Sequence, residues 1–208
     1  MAGTIRKTLA AMVCALMAVA CAFVITGCGG AAASKTEQAT KALEDMLGQI
    51  ENGGLSEYMG DSQMMDLSSM GIDYSEIIEG ISDNFSYEIK GAEEDSDGDV
   101  TVDVAITSRQ IVPAVIKSID QLYSEVLSTT TNTTNNLQSQ DQIMTRYGEI
   151  VLEELDNEEP TTTEINVIMT NSNGTWIPTN SSNNEISTAI VGDYANLSQS
   201  IKTKISSL

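Results

Sequence analysis

The 208-residue sequence contains no histidine, and its three cysteines all fall within the first 28 positions. Without histidine the chain lacks the one side chain that titrates near neutral pH unperturbed, and with it the commonest general base and zinc ligand. Cys14 and Cys21 sit inside an apolar run and read as small hydrophobes of a removable leader. With the leader gone only Cys28 remains, so disulfides and thiol-based redox or metal sites are excluded. No glycine-rich phosphate loop is present, which argues against nucleotide chemistry. Aromatic residues are few, with one Trp, two Phe and six Tyr, so aliphatic side chains and Met must fill the core.

Positive charge is also scarce. Ten Lys and Arg stand against 30 Asp and Glu, a formal charge of −20. Arg6 and Lys7 belong to the leader, which leaves the mature chain at −22. A surface this acidic repels nucleic-acid phosphates and anionic headgroups. Nucleic-acid binding is therefore disfavoured, and any membrane attachment must be covalent or hydrophobic. The 41% apolar content still fits a folded domain rather than disorder.

The first 28 residues locate the protein. Arg6 and Lys7 precede an uninterrupted apolar run over 9–25, and small residues follow. These are the parts of an export signal. The run exceeds the usual length of a signal core, so an uncleaved membrane anchor and an ordinary cleaved signal are the competing readings. Ile25-Thr26-Gly27-Cys28 resembles the bacterial lipobox. That resemblance implies a diacylglyceryl group on the Cys28 thiol and cleavage between Gly27 and Cys28. Two acyl chains anchor stably where one is marginal. The expected organisation is a lipoprotein signal peptide over 1–27, a lipidated cysteine and flexible tether over 28–35, and one domain over 36–208.

Along that domain the apolar period alternates between helix and strand. Ala39, Leu43, Met46, Leu47 and Ile50 form a helical stripe that Asn52-Gly53-Gly54 ends. Broken helical pieces are expected between 55 and 81, with Gly60, Gly71 and Gly80 as breaks. Met59, Met64, Met65 and Met70 in this stretch are a candidate adaptable binding surface, or simply packing residues. Phe85, Tyr87 and Ile89, then Val100, Val102, Val104 and Ile106, alternate with polar residues as two antiparallel strands. The acidic 95–99 turn between them does not fit a calcium loop. In the twelve-residue frame, Glu93 stands where Asp belongs and Val104 where a bidentate Glu belongs. It reads as a hairpin turn with Gly98 at positive φ.

Helical spacing returns from Gln110, through Ile111, Val115, Ile119, Leu122 and Val126, with Pro113 in the first turn. The polar 128–140 stretch reads as a connection or a frayed end. A second helix follows with Ile143, Met144, Tyr147, Ile150, Val151 and Leu155 facing inward and Asp141 as its cap. Ile165, Val167 and Met169, the Asn173-Gly174 turn and Trp176 make a second hairpin. An amphipathic helix from Ile186, interrupted at Gly192, closes the chain.

This order, from residue 35 to the C-terminus, resembles a group of bacterial lipoproteins. They carry a domain of unknown function with a fold similar to nuclear transport factor two, also called cystatin-like. The likeness rests on the helix after the tether, on "YEIKGAEEDSDGDVTVDVAIT", and on "TEINVIMTNSNGTWIPT" with its Trp176. Thr175 stands where the group usually has Lys. The resemblance implies an α+β fold, in which a curved antiparallel sheet of two hairpins packs on helices as a cone with an apolar mouth. It implies no reaction. The inserted 110–156 region is long enough to cover the sheet.

The remaining route to catalysis is a buried carboxylate acting as general base. Asp103 is the strand candidate, but it has the parity opposite to Val102 and Val104 and is expected to face solvent. The favoured reading is thus a non-catalytic, lipid-anchored binding or interaction domain at the cell membrane, on its extracytoplasmic face. No catalytic residue, metal or cofactor is assigned. Its partner would be an envelope protein or a small hydrophobic ligand, with Tyr58, Tyr74 and Tyr87 as further contact candidates. A small-molecule enzyme and a structural subunit of an envelope complex are the alternatives.

Overall fold

The computed structural model describes residues 33–55, 74–131, 140–193 and 196–207. It is an α+β fold with one four-stranded antiparallel sheet, in the order β1-β2-β3-β4, and six α-helices among those residues.

Helix α1 spans Lys35–Gln49. Its start is fixed by a capping box. The Ser34 hydroxyl accepts from the Glu37 amide, and the Glu37 carboxylate accepts from the Ser34 amide at 2.8 Å. Ala39, Leu43 and Leu47 are the buried stripe of α1. One wide turn over Ile50–Gly54 ends it, with Gly53 at φ 88° and the Asn52 side-chain amide donating to the Gly48 carbonyl at 2.6 Å. Helix α2 spans Tyr74–Ser82. Gly80 lies inside it rather than breaking it. A Cβ there would meet Leu155 Cδ2 at 3.3 Å, so glycine permits the close approach of a second helix.

Strands β1 (Ser86–Glu94) and β2 (Val100–Ser108) pair antiparallel, with a bulge between Ile89 and Gly91. The bulge absorbs one residue, so Ala92 and not Gly91 continues the inward set begun by Tyr87 and Ile89. It also lets β1 run on to Glu94. The true turn is tight: one Asp95 carboxylate oxygen accepts from the amides of Asp97, Gly98 and Asp99 at 2.9–3.0 Å. Lys35, at the start of α1, reaches this end of the sheet and pairs with Glu94 at 2.6 Å.

Helices α3 (Ile111–Thr131) and α4 (Gln140–Asn157) follow. Helix α3 runs through the Ser-Thr-Thr stretch expected to be a connection, and Asp141 lies inside α4 rather than capping it. Strands β3 (Thr161–Ser172) and β4 (Thr175–Pro178) form the second hairpin, with Asn173 and Gly174 both at positive φ. Its β3 pairs with β2, Val102 facing Val167 and Val104 facing Ile165. Helix α5 (Asn180–Val191) is capped by Thr179, and α6 spans Leu197–Ser207. Gly192 separates them at φ 93°, where a Cβ would lie 2.8 Å from the Val112 Cβ.

Helices α1 and α5 pack on the same face of the sheet. Val100, Val102, Val104, Ile106, Val167, Met169 and Trp176 meet Leu43, Leu47, Ile186 and Ile190 there in one core. Where short β4 stops, α5 takes over the edge of β3: the Ser182 hydroxyl accepts from the Ile168 amide at 2.8 Å. The other face is open, with Glu88, Glu93, Asp103, Glu164 and Asn166 exposed on it. The long pair α3–α4 does not cover that face. It packs mainly on itself, on α6 and on α2, and joins the core through Ala114 and Leu155 near its base.

Candidate functional site

The sheet has two unlike ends. At one end lie both hairpin turns and the start of α1. At the other, about 30 Å away along nine-residue β2, the chain leaves the sheet at Ser108. Arg109 follows directly, α2 has just ended at Ser82, and α4 ends before β3 begins. These three segments enclose a recess of about 280 Å³.

Helical spacing supplies its walls. Glu76, Glu79 and Gly80 of α2, with Asp83 just beyond it, stand on one side, and Leu152, Leu155 and Asp156 of α4 on the other. The Asn84 side-chain amide donates to the Gly80 carbonyl at 3.1 Å and ends α2 there. Among the described residues Arg109 supplies the only positive charge in the lining. Its side chain is 18% exposed, and its one ion pair, Nη1 to Asp156 Oδ1, is long at 3.4 Å. Its Nε is buried without a partner. The guanidinium holds five N–H donors in a fixed plane, of which Nη1 serves Asp156. Among the described residues no other carboxylate comes within ion-pair range of Arg109, although Glu76, Glu79 and Asp83 line the same recess. One guanidinium and three carboxylates thus share a small space without meeting across it. The recess is therefore rimmed by charge.

A second recess, of about 340 Å³, lies between α3 and α6 and is lined by Ile116, Asn196, Gln199, Ser200, Thr203 and Lys204. Its Lys204 pairs with Asp120 at 2.6 Å, and no carboxylate among the described residues lines it.

The residues singled out in the sequence lie elsewhere. Cys28, Gly27, Met59, Met64, Met65, Met70 and Tyr58 lie outside the described residues, as does the side chain of Tyr74. Tyr87 packs against the core, and its hydroxyl donates to the Glu44 carbonyl at 3.2 Å, so it does not border the recess. Asp103 is exposed on the open face, opposite Gly91 and Asn166. Sequence reading missed Arg109, hidden in a short polar link. The available signal was the row Glu76, Glu79 and Asp83 at helical spacing, together with one arginine at a strand-to-helix junction. Among the described residues no helix is long and apolar enough to cross a membrane. The chain matches no family model, no curated protein and no solved structure.

Proposed function

We propose that the chain is a lipid-anchored, non-catalytic binding domain on the extracytoplasmic face of a bacterial membrane, held by a diacylglyceryl group on Cys28. The observation that carries this reading is the polarity of the fold. Helix α1 starts beside the β1–β2 turn, with Lys35 paired to Glu94, while the charged recess opens at the opposite end of the sheet. From Cys28 to Ser34 the chain spans at most about 20 Å. Lipid on Cys28 would hold the turn end toward the bilayer and leave the recess directed away from it. That is a useful arrangement for a tethered receptor.

The same reading assigns the fold to the cystatin-like lipoprotein group. Its support is helix α1 laid on an antiparallel sheet, and a buried Trp176 two residues after the Asn173-Gly174 turn. A strand carboxylate serving as a general base gains no support, because the Asp103 side chain stands in solvent. Substitution Cys28→Ala tests the anchor. Metabolic labelling with a palmitate analogue in a bacterial host should mark the parent chain and not the variant. Label retained by the variant would refute the lipoprotein assignment. Cargo recovered with the lipidated protein from its own membrane tests the binding role.

A further inference from the structure

We propose that the outer edge of β1 takes, as a fifth strand of the sheet, an extended segment of a partner protein in which apolar and basic residues alternate. This rests on the reading of the chain as a binding domain and names a partner class.

The two edges of the sheet are finished differently. On the β4 side the edge strand has only four residues, and the start of α5 closes what lies beyond it. There the Ile168 carbonyl accepts from the Thr179 amide at 2.9 Å, and the Ile168 amide donates to the Ser182 hydroxyl at 2.8 Å. On the other side β1 offers nine residues, about 30 Å of edge, where five or six residues is the usual strand length. Among the described residues, no backbone group outside β2 bonds to it.

The core also stops short at this edge. Tyr87, Ile89 and Ala92 point inward but stay half-buried, whereas Ile106, Val104 and Val102, opposite them on β2, are fully buried. An added strand would complete that burial with every second side chain and would pair the free backbone groups of β1. Its inward side chains must therefore be apolar.

Charge fixes the other set. Glu88, Glu93 and Glu94 lie on β1. Glu44, Asp45 and Glu51 stand near the Tyr87 hydroxyl, whose pKa is pushed up by burial first and then by these carboxylates. Lys90, Lys41 and Lys35 pair with Glu88, Asp45 and Glu94. Six carboxylates against three ammonium groups leave a surplus of three negative charges along the edge. A second copy of the chain would bring the same surplus against itself. A strand with Lys or Arg at alternate positions neutralises it. The bulge and Lys90 are guards of the kind that keep edges from chance pairing. The edge thus refuses a generic strand and admits one of matching charge.

The test is calorimetry and hydrogen exchange on the full chain in nonionic detergent, with the end-capped peptide Lys-Val-Lys-Val-Lys-Val-Lys as probe. The peptide should bind and slow amide exchange within 86–94. The same peptide with Glu for Lys should bind at least about tenfold more weakly. The double substitution Glu88→Lys and Glu93→Lys, at exposed positions, should reverse that preference. A version of the Lys peptide N-methylated throughout keeps the side chains but cannot donate to the edge, and it should not bind. Retained affinity of the N-methylated peptide would mean that charge alone attracts it and would overturn strand addition. Exchange slowed only outside 86–94, or no heat with the folded parent, would also overturn the proposal. So would self-association of the parent that slows exchange in 86–94, since the edge would then belong to a second copy. Cargo recovered from the membrane in any of these cases would leave the binding role standing without this edge.

Discussion

The sheet body and the α3–α4 arm are held by different forces. In the body, Leu43, Leu47, Val100, Val102, Ile106 and Val167 are wholly withdrawn from water, and the buried Ser108 hydroxyl donates to the Ile190 carbonyl at 2.8 Å. In the arm, burial fades with distance from the base. Ile150, Val151 and Leu155 of α4 are buried, Ile143 and Met144 are half-buried, and on α3 Tyr123 is 39% and Leu127 50% exposed. Charge supplies what apolar contact does not. Arg146 of α4 donates through Nε and Nη2 to both carboxylate oxygens of Glu125 on α3, at 2.9 and 2.8 Å. Its Nη1 adds Glu149 and Glu153 at 3.0 and 3.1 Å. The body should therefore unfold as a unit and ignore salt, while the arm should loosen by itself and respond to both salt and pH.

The strongest challenge to this contrast is Trp176→Ala. The ring is 7% exposed and joins the core from β4. Its removal should destabilise the whole domain by about 3–5 kcal/mol. Chemical denaturation followed by circular dichroism would read this as one lowered midpoint. An unchanged midpoint would mean that the β3–β4 hairpin is peripheral. Its indole N–H is already buried without a partner, so a smaller loss than this range would point to partial relief of that defect.

Arg146→Ala should act on the arm alone. Charged networks that are partly screened by solvent are modest, and a loss of about 1–2 kcal/mol is expected. Native-state hydrogen exchange should show faster exchange in the outer turns of α3 and α4 with little change in β2 and β3. Uniform acceleration across the sheet would show that arm and body are one cooperative unit.

How much of this was legible in the sequence follows from the same contrast. Burial on one face writes a period, so the inward residues of α1, β2 and β3 were readable directly. The bulge near Lys90 was not, because Gly-Ala-Glu-Glu has turn-like composition and the extra residue shows only against the partner strand. The length of α3 was missed because Ser, Thr and Asn are poor helix formers in isolation. The position of the arm was missed because helical periodicity identifies a buried face without naming what buries it. The recess was beyond reach for another reason: residues 76–84, 109 and 152–156 meet only after the sheet has brought three chain ends to one edge.

The turn end offers a smaller test. Asp95→Ala removes the acceptor of three backbone amides at once, while Asp95→Asn keeps a weaker, uncharged one. The turn is exposed, so water replaces part of what is lost. The alanine variant should lose about 1 kcal/mol of global stability and the asparagine variant less. Equal losses would mean that charge in the acidic turn, and not hydrogen bonding to its backbone, is what matters there.

The smallest expected effect is the response of the arm to acid. The hydrogen bond from Arg146 holds the Glu125 carboxyl below the ordinary glutamate range, with burial opposing and Gln121 assisting. A group whose pKa is lower in the folded state stabilises that state above its unfolded value, near 4.5, and loses the contribution as pH falls through the folded value. Arg146 stays charged throughout, its own pKa raised by Glu125, Glu149 and Glu153. The arm should thus exchange at a constant intrinsic protection from pH 7 to pH 5 and open progressively below the ordinary glutamate range. Protonation leaves a neutral carboxyl that still accepts a bond, so the loss should be about half that of Arg146→Ala. In the Glu125→Gln variant this pH dependence should disappear, with the arm already loosened at neutral pH. If the variant keeps the same acid-induced opening as the parent, the opening belongs to the general charge balance of a very acidic chain and not to this clamp.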